Sequence, residues 1–354
     1  MSTYLLNAFS VLLYAFVDYG MRMLQHSTMR LRSRKIQSPG GASPVLFSLL
    51  MLQEVLFLGT RTATVGVDTP RYVFVFENAL WSEPQYEKGY NLFVKLLRTI
   101  TPNENFFLFV VAAASLLPIG FTVFRLSKMP YLSWYIYICM YYFTFNFSGL
   151  RQSIAMALTF LAFYFLCREK KLFTVLCALA AILFHTSAVV FLVAFLLYYS
   201  KWKKWKILVL AAAYLAIFLL RAPIFRLMLR LLYEDYDLAD TQAYTWMLVN
   251  LALFFILLFL GFSTKDDRVA QFGLTLMSVG VTFLLLTSVG TNVVRAANYF
   301  SMYIILVWPN VMKALNKQIR PIVVLLSVGV LTVFYVIHLR GNPYEVISYR
   351  SWLF

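Results

Sequence analysis

The chain has 354 residues, of which 61% are hydrophobic and only 13% are charged, and its mean hydropathy is +0.74. A soluble globular protein is nearer half apolar and a quarter charged, and a disordered chain has few apolar residues, so the composition excludes both classes. Lipid must be the solvent for most of the chain. A spanning helix takes about 20 residues. We therefore expect an all-α, polytopic integral membrane protein with about twelve transmembrane helices in a single domain over residues 1–354, for which a GT-C-like fold is one arrangement.

The N-terminus is apolar but has no basic start and no small-x-small cleavage site, so residues 3–19 are predicted to be a retained span rather than a signal peptide. Apolar runs bounded by charged residues predict the other spans. In chain order the predicted spans are 3–19, 44–60, 105–124, 131–149, 152–167, 172–184, 187–200, 207–220, 246–262, 270–288, 296–312 and 321–337. The longest loops between them are 20–43, 61–104 and 221–245.

Basic residues are distributed unevenly between the two sides of this predicted bundle. One side holds 19 of the 31 lysines and arginines but only three of the 15 acidic residues. Its loops are 20–43, 125–130, 168–171, 201–206, 263–269 and 313–320. The positive-inside rule makes these loops cytoplasmic, so the net charge of +16 needs no nucleic-acid partner. Loops 61–104 and 221–245 then face outward and are the predicted substrate-facing elements.

Several arginines lie at the outer ends of predicted spans, where the positive-inside bias disfavours cations. Arg61 ends the second span, Arg151 precedes the fifth and Arg295 opens the eleventh. Ionisable groups at membrane depth are costly and indicate function, although snorkelling or a structural ion pair explains any one of them about equally well. Guanidinium groups suit a lipid-linked phosphate or diphosphate, because they bind its oxygens through two parallel hydrogen bonds.

Other candidate residues are a histidine and two acids on the predicted outer side. His185 lies at the turn between the sixth and seventh spans, where it is either a packing residue or a proton acceptor. Asp68 and Glu87 lie in loop 61–104, where capping a helix is the simplest role for each. The alternative is sugar binding, because rings in the same loop can stack on pyranose faces. These aromatic residues are Tyr72, Trp81, Tyr86 and Tyr90.

The sequence contains no glycine-rich phosphate loop, dinucleotide fingerprint or nucleophile elbow. It also has no soluble segment large enough to bind a nucleotide sugar, so a glycosyl donor would be lipid-borne. The three cysteines and three histidines are scattered without ligand spacing. Neither a metal ion nor a cofactor is therefore predicted.

Five short motifs occur in a fixed order over roughly residues 50–310. They are Gly66-Val67-Asp68-Thr69 with Tyr72, Glu87-Lys88-Gly89-Tyr90, Leu150-Arg151-Gln152-Ser153-Ile154-Ala155, His185-Thr186-Ser187-Ala188, and Arg295 with Tyr299 and Phe300. Each motif is weak alone, but the ordered set resembles the EpsG family, the Wzy-like polymerases of bacterial exopolysaccharide, capsule and O-antigen. Lys88 departs from the family pattern, in which proline is common at that position.

The resemblance implies a multi-pass enzyme of the bacterial cytoplasmic (inner) membrane with its active site facing the periplasm or exterior. Such enzymes move a growing glycan from a polyprenyl diphosphate, such as undecaprenyl diphosphate, onto the next lipid-linked repeat unit. The implied partners are polyprenyl-diphosphate-linked oligosaccharide, membrane lipid and a chain-length regulator protein.

With this function, Arg151 and Arg295 would stabilise the charge on the departing diphosphate. His185 is the first candidate for the general base, and Asp68 or Glu87 is the second. An arginine-based site of this kind needs no metal ion. The residues assigned to substrate binding are Arg61, Arg71, Tyr72, Tyr90, Gln152 and Tyr299.

Three other functions remain open. A polyprenyl-phosphate-sugar-dependent glycosyltransferase would share the many spans and an acidic outer loop, but it would add one sugar. A transporter or flippase of lipid-linked oligosaccharide would show inverted repeats and charges deep in several spans, whereas here only Glu54 lies deep in a predicted span. A multi-span acyltransferase that uses His185 is the third.

Overall fold

The structure is a computed structural model that describes residues 1–28, 39–198, 208–220, 223, 244–261, 264, 266–286 and 291–353. These residues form helices and no β-strand, which confirms the all-α prediction for the described part of the chain. The first helices are α1 (Ser2–Thr28), α2 (Pro44–Gly59), α3 (Thr69–Glu77), α4 (Lys88–Ile100), α5 (Glu104–Leu126), α6 (Pro130–Cys139), α7 (Tyr142–Phe145), α8 (Leu150–Cys167) and α9 (Lys171–Phe184). A 3-10 helix (Thr186–Leu192) precedes α10 (Val193–Leu197), α11 (Leu208–Leu220), α12 (Tyr244–Gly261), α13 (Arg268–Leu285), α14 (Thr291–Ser301), α15 (Ile304–Ala314) and α16 (Arg320–Gly341).

Five of the described helices are long and apolar enough to cross a membrane, namely α1, α5, α8, α13 and α16. Shorter apolar helices are α2, α9, α11, α12 and the segment Thr186–Leu197. Their composition is that of a multi-pass membrane protein. The number of twelve spans, the GT-C-like arrangement and the single transmembrane domain stay predictions.

Within the described residues, three predicted spans are not single helices. Span 131–149 is divided into α6 and α7, because Tyr141 adopts a left-handed conformation with φ of 59°. Span 296–312 is divided into α14 and α15, and span 187–200 begins with the 3-10 helix. Hydropathy is averaged over a window, so it cannot register a break that rests on the backbone conformation of one or two residues.

The predicted outer loop 61–104 contains two helices, α3 and α4. Pro70 lies in the first turn of α3, where its fixed φ suits a helix start. In α4 the buried residues Tyr90, Val94 and Leu97 recur at helical spacing, so one face of this helix packs on the protein. The other predicted outer loop, 221–245, lies outside the described residues except at Pro223 and at the start of α12.

The first of two compact units comprises residues 1–189 and 315–354. In it α8 packs against α5 and α9, and α5 packs against α2. Close contacts of Gly59 with Phe109 and of Gly120 with Met51 show that α2 and α5 are antiparallel. One buried cluster joins α3 and α4 to α5 and α8; it comprises Tyr72, Val73, Phe76, Tyr90, Val94, Leu97, Phe107, Leu108, Val111, Leu150 and Ile154.

The second unit comprises residues 190–314. Its described part is organised around α13, which packs against α12, α14 and α15. Gly273 lies against Val307, and Gly280 lies against Phe300, so small residues allow these helices to approach closely.

Candidate active site

A glutamate at the start of α4 joins a cation and an imidazole. The Oε2 atom of Glu87 accepts a hydrogen bond from Nη1 of Arg151. Its Oε1 atom lies 2.8 Å from Nδ1 of His185 and accepts a hydrogen bond of 3.2 Å from the backbone N–H of Thr186. An ionised carboxylate only accepts hydrogen bonds, so Nδ1 of His185 carries the proton and donates it. We call Glu87, Arg151 and His185 the Glu87 cluster.

Helix ends place the three members of this cluster. Glu87 occupies the N-cap position of α4, Arg151 lies in the first turn of α8, and His185 ends α9 with an extended backbone. Capping would explain Glu87 by position, but its side chain makes no capping hydrogen bond. Gly89 lets α4 approach α9, because a Cβ there would lie 2.8 Å from the backbone O of Leu183. A larger residue would force apart the two helices that bring Glu87 to His185.

A second glycine allows the segment before α3 to contact the turn before α8. Gly66 has a φ of +101°, and a Cβ there would lie 2.1 Å from the backbone O of Phe147. The Oγ1 atom of Thr69 donates a hydrogen bond of 2.5 Å to the same oxygen. This contact fixes α3 beside α8, so Tyr72 lies next to Arg151.

Tyrosines surround the Arg151 guanidinium. Its Nε donates a hydrogen bond of 3.3 Å to the hydroxyl of Tyr72, and its Cζ lies 4.0 Å from the ring centroid of Tyr86. Such cation–π contact orients a guanidinium without neutralising it. The rings of Tyr72, Tyr86 and Tyr90 lie within 5.9 Å of one another, and Arg71 approaches Tyr86 at 5.9 Å. The sequence indicated Tyr86 as a sugar-stacking ring, but its contact with the Arg151 guanidinium was not predicted.

The Glu87 cluster is partly open to solvent, and its carboxylate is ionised at neutral pH. Side-chain exposures are 16% for Glu87, 19% for Arg151 and 17% for His185. Burial raises the pKa of Glu87, but hydrogen bonds from its own backbone, from Arg151 and from Thr186, with the charge of Arg151, outweigh burial and leave the pKa below its usual value. Burial raises the pKa of Tyr72 more than Arg151 lowers it, so Tyr72 stays a neutral phenol.

A model of the EpsG family matches residues 45–351, which is most of the chain and includes every residue of the Glu87 cluster. The chain belongs to the EpsG family. Members of this family are Wzy-like polysaccharide polymerases, so the family implies a polymerase that acts on lipid-linked oligosaccharide in a membrane. No curated protein and no solved structure matches the chain.

The other predicted site residues of the first unit differ in their burial and in their contacts. Asp68 is half-buried at the N-cap position of α3 without a capping hydrogen bond, and its charge acts on Tyr72. Gln152 is buried on α8, one position after Arg151 and therefore on a different helix face. Arg71 is exposed. Arg61 is fully buried just beyond α2.

The last EpsG motif lies on α14, in the second unit. Arg295 is exposed there, and Tyr299 is fully buried. Their roles in binding diphosphate and substrate stay predictions. Within the described ranges, no group of three histidine, cysteine or acidic residues could hold a metal ion.

Proposed function

We propose that this EpsG-family protein transfers a glycan from polyprenyl diphosphate onto the next lipid-linked repeat unit at the outer face of the bacterial cytoplasmic membrane. The supporting observation is that the carboxylate of Glu87 contacts both the guanidinium of Arg151 and the imidazole of His185. Transfer from a diphosphate leaving group needs a fixed cation and a proton acceptor close together. The Glu87 cluster supplies both.

His185 is the proposed proton acceptor. Because Nδ1 donates to Glu87, Nε2 carries the lone pair. The acceptor hydroxyl oxygen forms a bond to the anomeric carbon of the donor glycan and gives its proton to Nε2. Glu87 is a positioning residue that fixes the tautomer and stabilises the imidazolium, as a carboxylate does beside histidine in other hydrolytic and transfer sites.

Arg151 is the proposed ligand of the leaving group. As the bond between the anomeric carbon and the diphosphate oxygen breaks, the electron pair and a negative charge pass to the diphosphate. A preorganised guanidinium stabilises that charge without rearrangement. Contacts with Glu87, Tyr72 and Tyr86 fix Arg151 in place, while 19% of its side chain stays accessible. Arg295 is a further proposed ligand of the diphosphate.

The sidedness is also part of the proposal. The Glu87 cluster lies where the N-terminal end of α8 meets the C-terminal end of α9. The loop between these helices, 168–171, is one of the basic loops that the positive-inside rule assigns to the cytoplasm. The opposite ends of both helices would then face the exterior, where lipid-linked repeat units are polymerised.

The test replaces Arg151 by Gln in cells that make the polymer. Loss of one preorganised donor to a developing charge costs about 10²–10³-fold in rate, so polymer should disappear while single lipid-linked repeats persist. Arg98→Gln is the matched control, because Arg98 also stacks on an aromatic ring, that of Phe76. Polymer of normal length from a normal amount of the Arg151 variant would contradict the assignment.

Product size separates the remaining functions. A polyprenyl-phosphate-sugar-dependent glycosyltransferase would extend the acceptor by one sugar. A flippase would change the side of the membrane on which the repeat unit is found and leave its mass unchanged. A ladder spaced by whole repeat units supports the polymerase alone.

A further inference from the structure

Arg61 is a fully buried cation whose hydrogen bonding is incomplete. It follows α2, and its Nη1 donates a hydrogen bond of 2.6 Å to the backbone O of Leu58. Its Cζ lies 5.3 Å from the ring centroid of Phe147. The Nε and Nη2 atoms are buried and have no hydrogen-bond partner in the part of the chain that the structure describes. Burying a charge is costly unless it is paired, so this arrangement requires an explanation.

The two unpartnered nitrogens form one edge of the guanidinium. Nε–H and Nη2–H point in the same direction, and together they bind two oxygens of a phosphate or carboxylate side by side. The ion pairs found among the described residues do not include Arg61. The groups that act on its charge most strongly are the hydroxyls of Tyr4, Tyr349 and Tyr90. The available edge therefore has the shape of an oxyanion site, and no protein carboxylate of the described residues occupies it.

Of these three tyrosine hydroxyls, only that of Tyr90 has no hydrogen-bond partner among the described residues. Tyr4 donates its hydroxyl hydrogen to the backbone O of Val346, and Tyr349 donates to the backbone O of Phe57. Tyr90 is fully buried, and its hydroxyl has no hydrogen-bond partner among the described residues. Arg61 and Tyr90 thus supply three buried donor groups that have no hydrogen-bond partner among the described residues.

Tyr90 also connects this region to the Glu87 cluster. Its ring lies 5.9 Å from that of Tyr72, which accepts a hydrogen bond from Arg151. The charges of Arg151 and Glu87 act on the Tyr90 hydroxyl, as that hydroxyl acts on Arg61. Arg61 and Tyr90 are fully buried, whereas the Arg151 side chain is 19% exposed.

We propose that Arg61 and Tyr90 form a buried anion subsite that binds a phosphoryl group of a lipid-linked diphosphate, next to the Glu87 cluster. The subsite itself follows from the unpartnered donors; naming the carrier lipid as its source rests on the proposed function. The subsite holds the phosphoryl group farther from the sugar, while Arg151 contacts the one that leaves with the glycosidic oxygen.

The C-terminal segment closes the other side of this region. The backbone N–H of Thr62 donates to the O of Arg350 at 2.9 Å, and that of Trp352 donates to the O of Thr60 at 3.0 Å. Between these bonds Arg61 and Ser351 form an antiparallel bridge. The C-terminal segment therefore covers Arg61 on this side.

The test is binding of inorganic pyrophosphate to purified full-length protein in nanodiscs of phosphatidylcholine, measured by calorimetry. Loss of a charge-assisted hydrogen-bond pair weakens binding by at least about tenfold, so Arg61→Gln should show that loss and Arg61→Lys a smaller one. Arg98→Gln should bind as wild type. Because Arg61→Gln also removes an uncompensated buried charge, its thermal midpoint should equal or exceed that of wild type.

Several results would overturn the subsite. One is unchanged pyrophosphate affinity in Arg61→Gln, and another is no pyrophosphate binding by wild type. A lower thermal midpoint with unchanged affinity would make Arg61 a structural residue that only caps α2. Tyr90→Phe serves if the Arg61 variants misfold: it keeps the ring, and pyrophosphate affinity equal to wild type would likewise refute the subsite.

Two further binding experiments identify the source of the phosphoryl group. Farnesyl diphosphate should displace pyrophosphate, whereas changing the nanodisc lipid to phosphatidylglycerol should leave pyrophosphate affinity unchanged at constant salt. Competition by phosphatidylglycerol would overturn the carrier lipid as the source. Because these experiments measure binding, a wild-type protein that binds pyrophosphate but makes no ladder would refute the proposed function and leave the subsite standing.

Discussion

Replacing Glu87 by Gln perturbs the cluster with the least change of shape. The substitution removes the negative charge and turns one acceptor oxygen into an NH₂ donor. That donor must face either the Nη1–H of Arg151 or the Nδ1–H of His185, because both now donate to the carboxylate. Either the amide meets Arg151 donor against donor, or His185 changes tautomer so that Nδ1 accepts from the amide and Nε2 carries the proton and can no longer act as a base.

The magnitude follows from the bonds that are lost. A hydrogen bond to a charged group contributes about 1.5–3 kcal/mol, and Glu87 is only 16% exposed, so solvent screening of this contribution is modest. We expect the variant to be destabilised by about 1.5–3 kcal/mol. General base catalysis contributes about 10²–10⁴-fold, so a misoriented His185 should lower kcat by at least about 10²-fold. KM should change little, because Glu87 does not contact substrate in the proposed mechanism.

The assay is transfer between purified lipid-linked repeat units, with thermal unfolding measured on the same samples. Glu83→Gln is the matched control, since it removes the same charge from an exposed side chain four residues earlier. Glu87→Asp keeps the charge but shortens the reach, so its kcat should lie between those of wild type and Glu87→Gln. If Glu87→Gln lost stability but kept the wild-type kcat, the cluster would be a structural ion pair and the reasoning would be refuted.

Three further predictions concern the approach of helices, pH and the second unit. Gly89→Ala should lower transfer and thermal stability together, because the new Cβ would lie 2.8 Å from the backbone O of Leu183; gel analysis of products and a melting curve measure both. The pKa of Glu87 is lower in the folded protein than in the unfolded chain, so the unfolded state binds protons first as the pH falls. The stability that Glu87 contributes is therefore complete above its unfolded pKa of about 4.3. It is lost as the pH falls through the lower pKa of the folded state. The difference in melting temperature between wild type and Glu87→Gln should therefore shrink in acid, and a constant difference would contradict this. Arg295→Gln should shorten or abolish polymer at normal protein level, and full-length polymer would remove Arg295 from the mechanism.

Local sequence patterns predicted the residue types of the site but not their pairing. Arg151 and His185 were predicted as cation and base from their chemistry at span ends. Glu87 was expected to be a cap or an alternative base, and its position at the N-cap is as expected. Its contacts cross 64 residues to Arg151 and 98 to His185, and no local pattern encodes contacts at that separation. Gly89 was visible in the motif, but its close approach to α9 requires the structure.

The burial of individual side chains and the breaks within helices could not be predicted from the sequence either. Arg61 was predicted to support substrate binding, but its complete burial depends on the C-terminal segment nearly 300 residues away. Hydropathy predicted apolar spans because it measures composition, which the long described helices confirm. It missed the break at Tyr141, because a left-handed residue leaves the apolar average unchanged. Sugar stacking by Tyr86 stays a prediction, and the 4.0 Å contact of its ring centroid with Cζ of Arg151 was not foreseen.

The most direct measurement of the central claim is product length from purified protein incubated with lipid-linked repeat units, with wild type compared to His185→Gln. Wild type should give a ladder spaced by whole repeat units. The variant should leave single repeats at equal protein amount and with pyrophosphate affinity retained, because His185 accepts a proton and does not hold the diphosphate. A ladder of wild-type length and rate from His185→Gln would contradict the account.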